Sequence, residues 1–218
     1  MERKFIFEND EYYHVYNRGT DGREIVTEYY DVLRFLQSLK SFNSRKPIGS
    51  IYEKSFSDEA ELDEPEALVD VVAYCLNPNH FHLLLRQNID KGISTFLHRI
   101  GGYTMYFNEK YKRKGSLFQG RFKAKHIESN DYLLHVSAYV NLNQRVHELG
   151  GSTSKLSKSS LEEYIGKVAK KLQICKTDII LDQFKNQKEY LDFCEDSLEL
   201  MLEAKEEQKE LRSLLIEE

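Results

Sequence analysis

The sequence predicts an α+β fold: a ferredoxin-like antiparallel sheet with helices packed on it, followed by an appended C-terminal helical region. Three observations carry this expectation. Short runs of β-branched and aromatic residues alternate with stretches of helical periodicity in the order β-α-β-β-β-α-β-α. Two apolar runs, "ALVDVVAYCL" and "FHLLLRQ", are separated only by "NPNH", which makes a hairpin. The stretch "GGSTSKLSKSS" then divides this block from acidic amphipathic segments. Two helices against one antiparallel sheet form an α+β sandwich.

Taken in order, "EYYHVYNRGT" alternates Tyr13 and Val15 with polar residues and stops at Asn17-Arg18-Gly19, as a first strand does. In "TEYYDVLRFLQSLKSFN", Tyr30, Leu33, Phe35, Leu36 and Leu39 fall at helical spacing, with Thr27 as N-cap. Residues 48–56 form a short strand, and "SDEAELDEPEA" is an acidic loop. After the hairpin, "ISTFLHRIGGYTMYFNEKYK" reads as a helix, although Gly101-Gly102 weakens its middle by about 1 kcal/mol per glycine. A strand around "LFQGRFKAKHI" and a helix from near Asn130 through "DYLLHVSAYVNLNQ" complete the block. The division is then 1–148 as one domain, 149–160 as linker and 161–218 as helical extension. In that extension "SLEEYIGKVAKKLQI" and "QKEYLDFCEDSLELMLEAKEEQKELRSLL" are amphipathic helices. Leu191, Leu198, Met201, Leu202 and Leu211 form a heptad-like stripe that serves packing on the domain or a homodimer contact.

A chain of 218 residues with 40% hydrophobic and 31% charged residues is globular, and no window approaches the roughly 18 consecutive apolar residues of a membrane span. "MERKFIFENDEYY" turns acidic before an apolar signal region develops, so a cytoplasmic location is expected. The three cysteines, Cys75, Cys175 and Cys194, lack C-x-x-C spacing and read as reduced, packed residues. The net charge of −5 argues against nucleic acid until its distribution is considered. Residues 86–147 hold eleven basic against four acidic residues, and residues 182–218 hold five against twelve. A basic central block of this kind presents a phosphate-binding face.

Within "CLNPNHFHLLLRQ", His80 and His82 point to one side of their strand and Phe81 to the other. Such a pair either binds one divalent ion or is a satisfied polar pair. The following Leu83-Leu84-Leu85 marks a central strand, where unpartnered imidazoles are costly. A catalytic ion needs a further protein ligand. On the last helix of the block, Tyr139 and Asn143 share a face, and His135 lies one turn earlier. In a chain with fourteen tyrosines, Tyr139 on spacing alone is equally a core residue. His135 either orients a ligand or the tyrosine from behind, or lies on the surface. Arg18, Arg121, Lys123 and Lys125 are either phosphate contacts or solvated surface.

Four blocks in register, "HVYNRGTDGREIV", "NPNHFHLLL", "GSLFQGRFKA" and "YVNLNQ", resemble the single-tyrosine HUH transposases, IS200-like and in particular the REP-associated tyrosine transposases. The resemblance covers about residues 10–148. It implies that His80 and His82 are metal ligands, that Asn143 is the third, and that Tyr139 is the nucleophile. It also favours a DNA-site role for the turn Gln119-Gly120-Arg121. The family commonly continues Asn-Pro after the tyrosine helix, and here Gln144 follows Asn143. The implied activity is metal-dependent cleavage and strand transfer of single-stranded DNA at hairpin or palindromic sites, through a 5′-phosphotyrosine. The implied ion is Mg²⁺ or Mn²⁺, two imidazoles and an amide suiting manganese better. Two rivals stand beside it: a catalytically silent hairpin-binding protein, and a relaxase-like or replication-initiator nuclease, which a chain without a helicase domain disfavours.

Overall fold

The computed structural model describes residues 6–46, 49, 66–147 and 153–214. The strand expected over 48–56 and most of the acidic loop after it lie outside these residues. Strand β1 (Tyr12–Arg18) is followed by helix α1 (Tyr29–Ser41), the hairpin β2 (Val69–Asn77) and β3 (His80–Gln87), and helices α2 (Gly92–Ile100) and α3 (Gly102–Lys110). Strand β4 (Lys123–Ile127) and helix α4 (Asn130–Val146) follow. Beyond them come β5 (Lys158–Ser159), α5 (Leu161–Tyr164), α6 (Asp178–Leu181) and α7 (Gln187–Leu214). The sheet order is β4-β1-β3-β2-β5, with every described pairing antiparallel. The α+β, ferredoxin-like expectation is met.

Sequence pattern explains which face each helix covers. On β3, Phe81, Leu83 and Leu85 join a core with Phe35, Ile93, Phe96 and Tyr103 of α1, α2 and α3. Leu84 points to the other face, into a second core with Leu133, Val136, Val140 of α4 and Tyr190, Cys194 of α7. A register shift between Val71 and Ala73 puts both Val72 and Ala73 into this second core. His82, two residues before Leu84, therefore faces α4, as alternation requires. The hairpin pairs Asn77 with His80, and Pro78-Asn79 turn the chain.

Several local expectations change. The N-cap of α1 is Glu28, not Thr27, and it forms a reciprocal capping box with Asp31. Thr27 instead donates from its own N–H and hydroxyl to Asp31. The helix expected over 93–112 is two helices meeting at Gly101, where a Cβ would sit 2.8 Å from the His98 carbonyl oxygen. The helix expected over 160–174 ends after one turn, because Gly166 takes φ +71. The strand begins only at Lys123, although Phe118 forms a bridge with Gly19. At the end of β1, Gly19 passes so close to Arg23 that any Cβ would lie 2.0 Å from its carbonyl oxygen. The Gly19 N–H donates to Asn79 at 2.8 Å, tying Arg18 to the hairpin tip. The segment read as linker ends in β5, which pairs with Cys75 and Leu76 of β2. All three cysteines are buried and free. Among the described residues no helix is long and apolar enough to cross a membrane.

Candidate active site

Strands β1 and β3 present a row of polar side chains to α4. Tyr16 pairs with His82, and Arg18 with His80, so two imidazoles, a phenol and a guanidinium share one patch of sheet. The rings of His80 and His82 stand 5.2 Å apart at 90°. Their shared face, read from H-x-H alternation, is present. From α4, Tyr139 meets His82 edge-to-face at 5.5 Å. Asn143, one turn later, is fully buried, and its Oδ1 lies 3.2 Å from His80 Nε2.

The hydrogen bonds around His80 assign its proton. Its Nδ1 donates to Asn79 Oδ1 at 2.7 Å, because that oxygen only accepts. The Nε2 lone pair is then free to accept, and Asn77 Nδ2 donates to it at 2.8 Å and to Asn143 Oδ1 at 2.7 Å. Two acceptors therefore converge on one point filled by an amide N–H. Asn143 Nδ2 is buried and has no hydrogen-bond partner among the described residues. A cation placed against the same nitrogen and oxygen would compete with the Asn77 amide, and the donor set fits one.

Sequence reasoning missed His147, which follows α4 directly. Its ring lies 5.5 Å from that of His80, and one ligand atom each from His80, His82 and His147 fall within 4.8 Å of one another. The signal was present: His147 follows Asn143 by four residues and Tyr139 by eight, so all three share a helical face.

Burial governs the site's electrostatics. It pushes His82 well below the usual imidazole value, and the neighbouring imidazoles of His14, His80 and His147 add to this. Burial lowers His80 despite the opposing Asn143 contact, and lowers His147 with help from Lys205. All three are neutral at pH 7, as ligation requires. Tyr139 is raised by burial, with a partial offset from Asn143. Its hydroxyl is protonated and weakly nucleophilic until a cation or a developing bond changes that.

A cavity of about 660 Å³ opens beside these groups, lined by Arg18, Gln119, Lys123, His80, His82, Tyr139 and His147 among others. Arg18 and Gln119 are held together, Arg18 Nε donating to the Gln119 side chain and the Gln119 N–H to the Arg18 carbonyl at 2.8 Å. Lys123 lies over the Tyr16 ring at 6.0 Å. The other candidates sit apart from this cavity. Lys125 lies over Tyr132 at 4.7 Å, in a second cavity on the far side of Tyr139. Arg121 lines a third with Phe81 and Phe122. His135 turns toward α7, its Nδ1 3.2 Å from Ser197 Oγ and its ring 5.0 Å from that of Phe193.

The fold resembles that of a solved tyrosine transposase. A solved structure described as a REP-associated tyrosine transposase bound to a REP hairpin superposes with a TM-score of 0.52, at 15% identity over 77% of this chain and 86% of that one. The sequence model of the family described as "Transposase IS200 like" matches residues 63–144, from just before β2 to the end of the tyrosine face of α4. The match covers 82 of the 218 residues, and over this segment the chain is similar to that family. No curated protein matches it.

Proposed function

We propose that the chain is a metal-dependent single-tyrosine nuclease and strand-transferase of single-stranded DNA, with hairpins as its targets. The observation that carries this reading is the placement of Tyr139 against His82, beside three convergent imidazoles, with a cavity lined by cationic groups in front of them. The solved relative bound to a REP hairpin supports the substrate class.

His80, His82 and Asn143 would hold a divalent cation, Mg²⁺ or Mn²⁺, with His147 as a third imidazole at the rim. Bound there, such an ion supplies electrostatic stabilisation of the charge that develops on a scissile phosphate. The remaining steps belong to the chain. Arg18 and Lys123 bind the backbone on either side, with Gln119 fixing the Arg18 fork. Tyr139 Oη bonds to phosphorus as its proton passes to solvent, and the 3′ oxygen leaves and takes a proton. The 5′-phosphotyrosine keeps the energy of the phosphodiester, so an incoming 3′-OH reverses the chemistry without ATP.

Labelled hairpin oligonucleotides incubated with Mn²⁺ and run on a denaturing gel test this directly. A covalent adduct is expected for the wild type and none for Tyr139→Phe or His80→Ala. Hairpin binding without any adduct would establish the silent DNA-binding reading instead.

A further inference from the structure

His14 lies on β1, two residues before Tyr16, with its side chain on the same face of the sheet as Tyr16 and Arg18. Neither the phosphate cavity nor the group of three convergent histidines includes it. Its Nε2 is 2.9 Å from His82 Nδ1. Its ring stacks on His82 at 5.1 Å, lies tilted against Tyr16 at 5.3 Å, and meets Tyr139 edge-on at 5.8 Å. His14 is therefore wedged between a metal-ligand candidate and the nucleophile candidate.

The contact has a chemical consequence for His82. A neutral imidazole carries one proton, and the nitrogen without it is the ligating one. His82 Nδ1 is taken up by His14, so only Nε2 is left to point toward His80 and His147. Nε2 ligates only if the proton sits on Nδ1, and that N–H then needs an acceptor. The acceptor within reach is His14 Nε2, whose own proton moves to its Nδ1. The opposite arrangement, with His14 Nε2–H donating, would place the His82 proton on Nε2 and close the ligand position.

We propose that His14 is a positioning residue: it accepts the His82 Nδ1 proton in a hydrogen bond and so holds His82 in the tautomer that offers Nε2 to a divalent ion. Metal-binding histidines usually rest on a carboxylate or a backbone carbonyl. A neutral imidazole in that position orients the ring without adding negative charge beside an incoming phosphate. The proposal rests on the metal-dependent reading of the site and adds to it the residue that prepares His82.

The test uses the full chain without DNA. Long-range ¹H–¹⁵N spectra of the metal-free protein read the tautomer of His82, and calorimetric titration with Mn²⁺ reads affinity. Two variants are compared: His14→Gln, whose amide oxygen still accepts, and His14→Phe, which fills the space and cannot. The wild-type spectrum is expected to show His82 protonated at Nδ1. His14→Phe should weaken Mn²⁺ binding by roughly tenfold or more, with His14→Gln restoring most of the loss and thermal melts unchanged for both. A His82 proton on Nε2 in the wild type overturns the proposal, as does a His14→Phe variant that binds Mn²⁺ like the wild type. A wild type that binds no Mn²⁺ at all overturns the metal-dependent reading. The tautomer of His82 then decides the role of His14 by itself.

Discussion

Asp31 has no exposed surface, yet it carries a charge. It accepts from Lys110 at 2.6 Å, from Tyr111 Oη at 2.7 Å and from Thr27 at 3.0 Å. Burial alone would raise its pKa, but these donors outweigh burial and hold the carboxyl below the usual value. An acid depressed in the folded state stabilises it above the unfolded pKa, and that stabilisation is lost as pH falls through the folded value. Asp31→Asn should therefore cost about 1–3 kcal/mol at pH 7 in urea denaturation, because charge-assisted bonds from Lys110, Tyr111 and Thr27 give way to a neutral amide, while Lys110 keeps its pairing with Glu28. The gap between wild type and variant should narrow below about pH 4, where the carboxyl of the unfolded chain starts to protonate while the folded one, held lower, is still charged. A gap of the same size at pH 3 and pH 7 would refute this account. At the metal-ligand candidates the same scale predicts a ranking. His147 is exposed while His80 and His82 are not, so His147→Ala should reduce Mn²⁺ affinity less than His80→Ala in a direct titration. The shared faces of His80 with His82 and of Tyr139 with Asn143 were legible from period two on a strand and period four on a helix, whereas their roles came only from the resemblance. His147 continues the helical period by one more turn and was overlooked, whereas His14 was not legible, because it stands alone in its segment. Only the pairing of β1 with β3 brings His14 to His82, and no local spacing encodes that register.

At the scale of elements, α4 is fixed by more than apolar contacts. Asn141 Nδ2 donates to Tyr190 Oη at 2.8 Å, and Tyr190 Oη lies 3.2 Å from Ser137 Oγ, which donates to the Leu134 carbonyl. On the other side Ser160 Oγ donates to Asn141 Oδ1 at 2.6 Å and accepts from the Tyr74 N–H at 3.0 Å. The chain of donors runs from β2 through α4 to α7, and every member of it is satisfied. Tyr190 also stacks on Tyr164 at 4.9 Å. Tyr190→Phe keeps the stack and removes the hydroxyl, leaving the buried Asn141 amide short of a partner. It should destabilise the chain by about 1–3 kcal/mol in thermal or chemical denaturation, and a loss of hairpin cleavage at temperatures where the fold survives would follow from a looser Tyr139. The amphipathic stripe that announced α7 was readable in the sequence, and Leu198, Met201 and Leu202 do pack into the second core. The helix expected over 160–174 fails for a local reason. Burial of Tyr164 and the left-handed Gly166 end it, and the Glu163 carboxylate turns back to accept from the N–H groups of Ile174 and Cys175 at 2.9 and 2.8 Å.

Over the whole molecule, the net charge of −5 hides a division of labour. Arg18, Lys123, Lys125 and Arg121 come from β1, β4 and the turn before β4, all toward the β4 edge of the sheet, whereas the acidic α7 lies behind α4. Backbone contacts by cations release counterions, so hairpin affinity should fall as salt rises even though the protein is acidic overall. If those four side chains each meet a phosphate, raising salt from 50 to 200 mM should weaken binding by roughly 50- to 150-fold, measured by fluorescence anisotropy with Tyr139→Phe to prevent cleavage. Lys123→Ala should lower the slope of log affinity against log salt by about one, across hairpins of different sequence. Arg121→Ala should behave differently if its own cavity, beside Phe81 and Phe122, receives a base rather than backbone. It would then change the preference among loop sequences while leaving the slope nearly intact. A flat salt dependence for the wild type would mean that the acidic tail cancels the basic face at the distances DNA occupies, and that stacking and shape, not phosphate contacts, hold the hairpin.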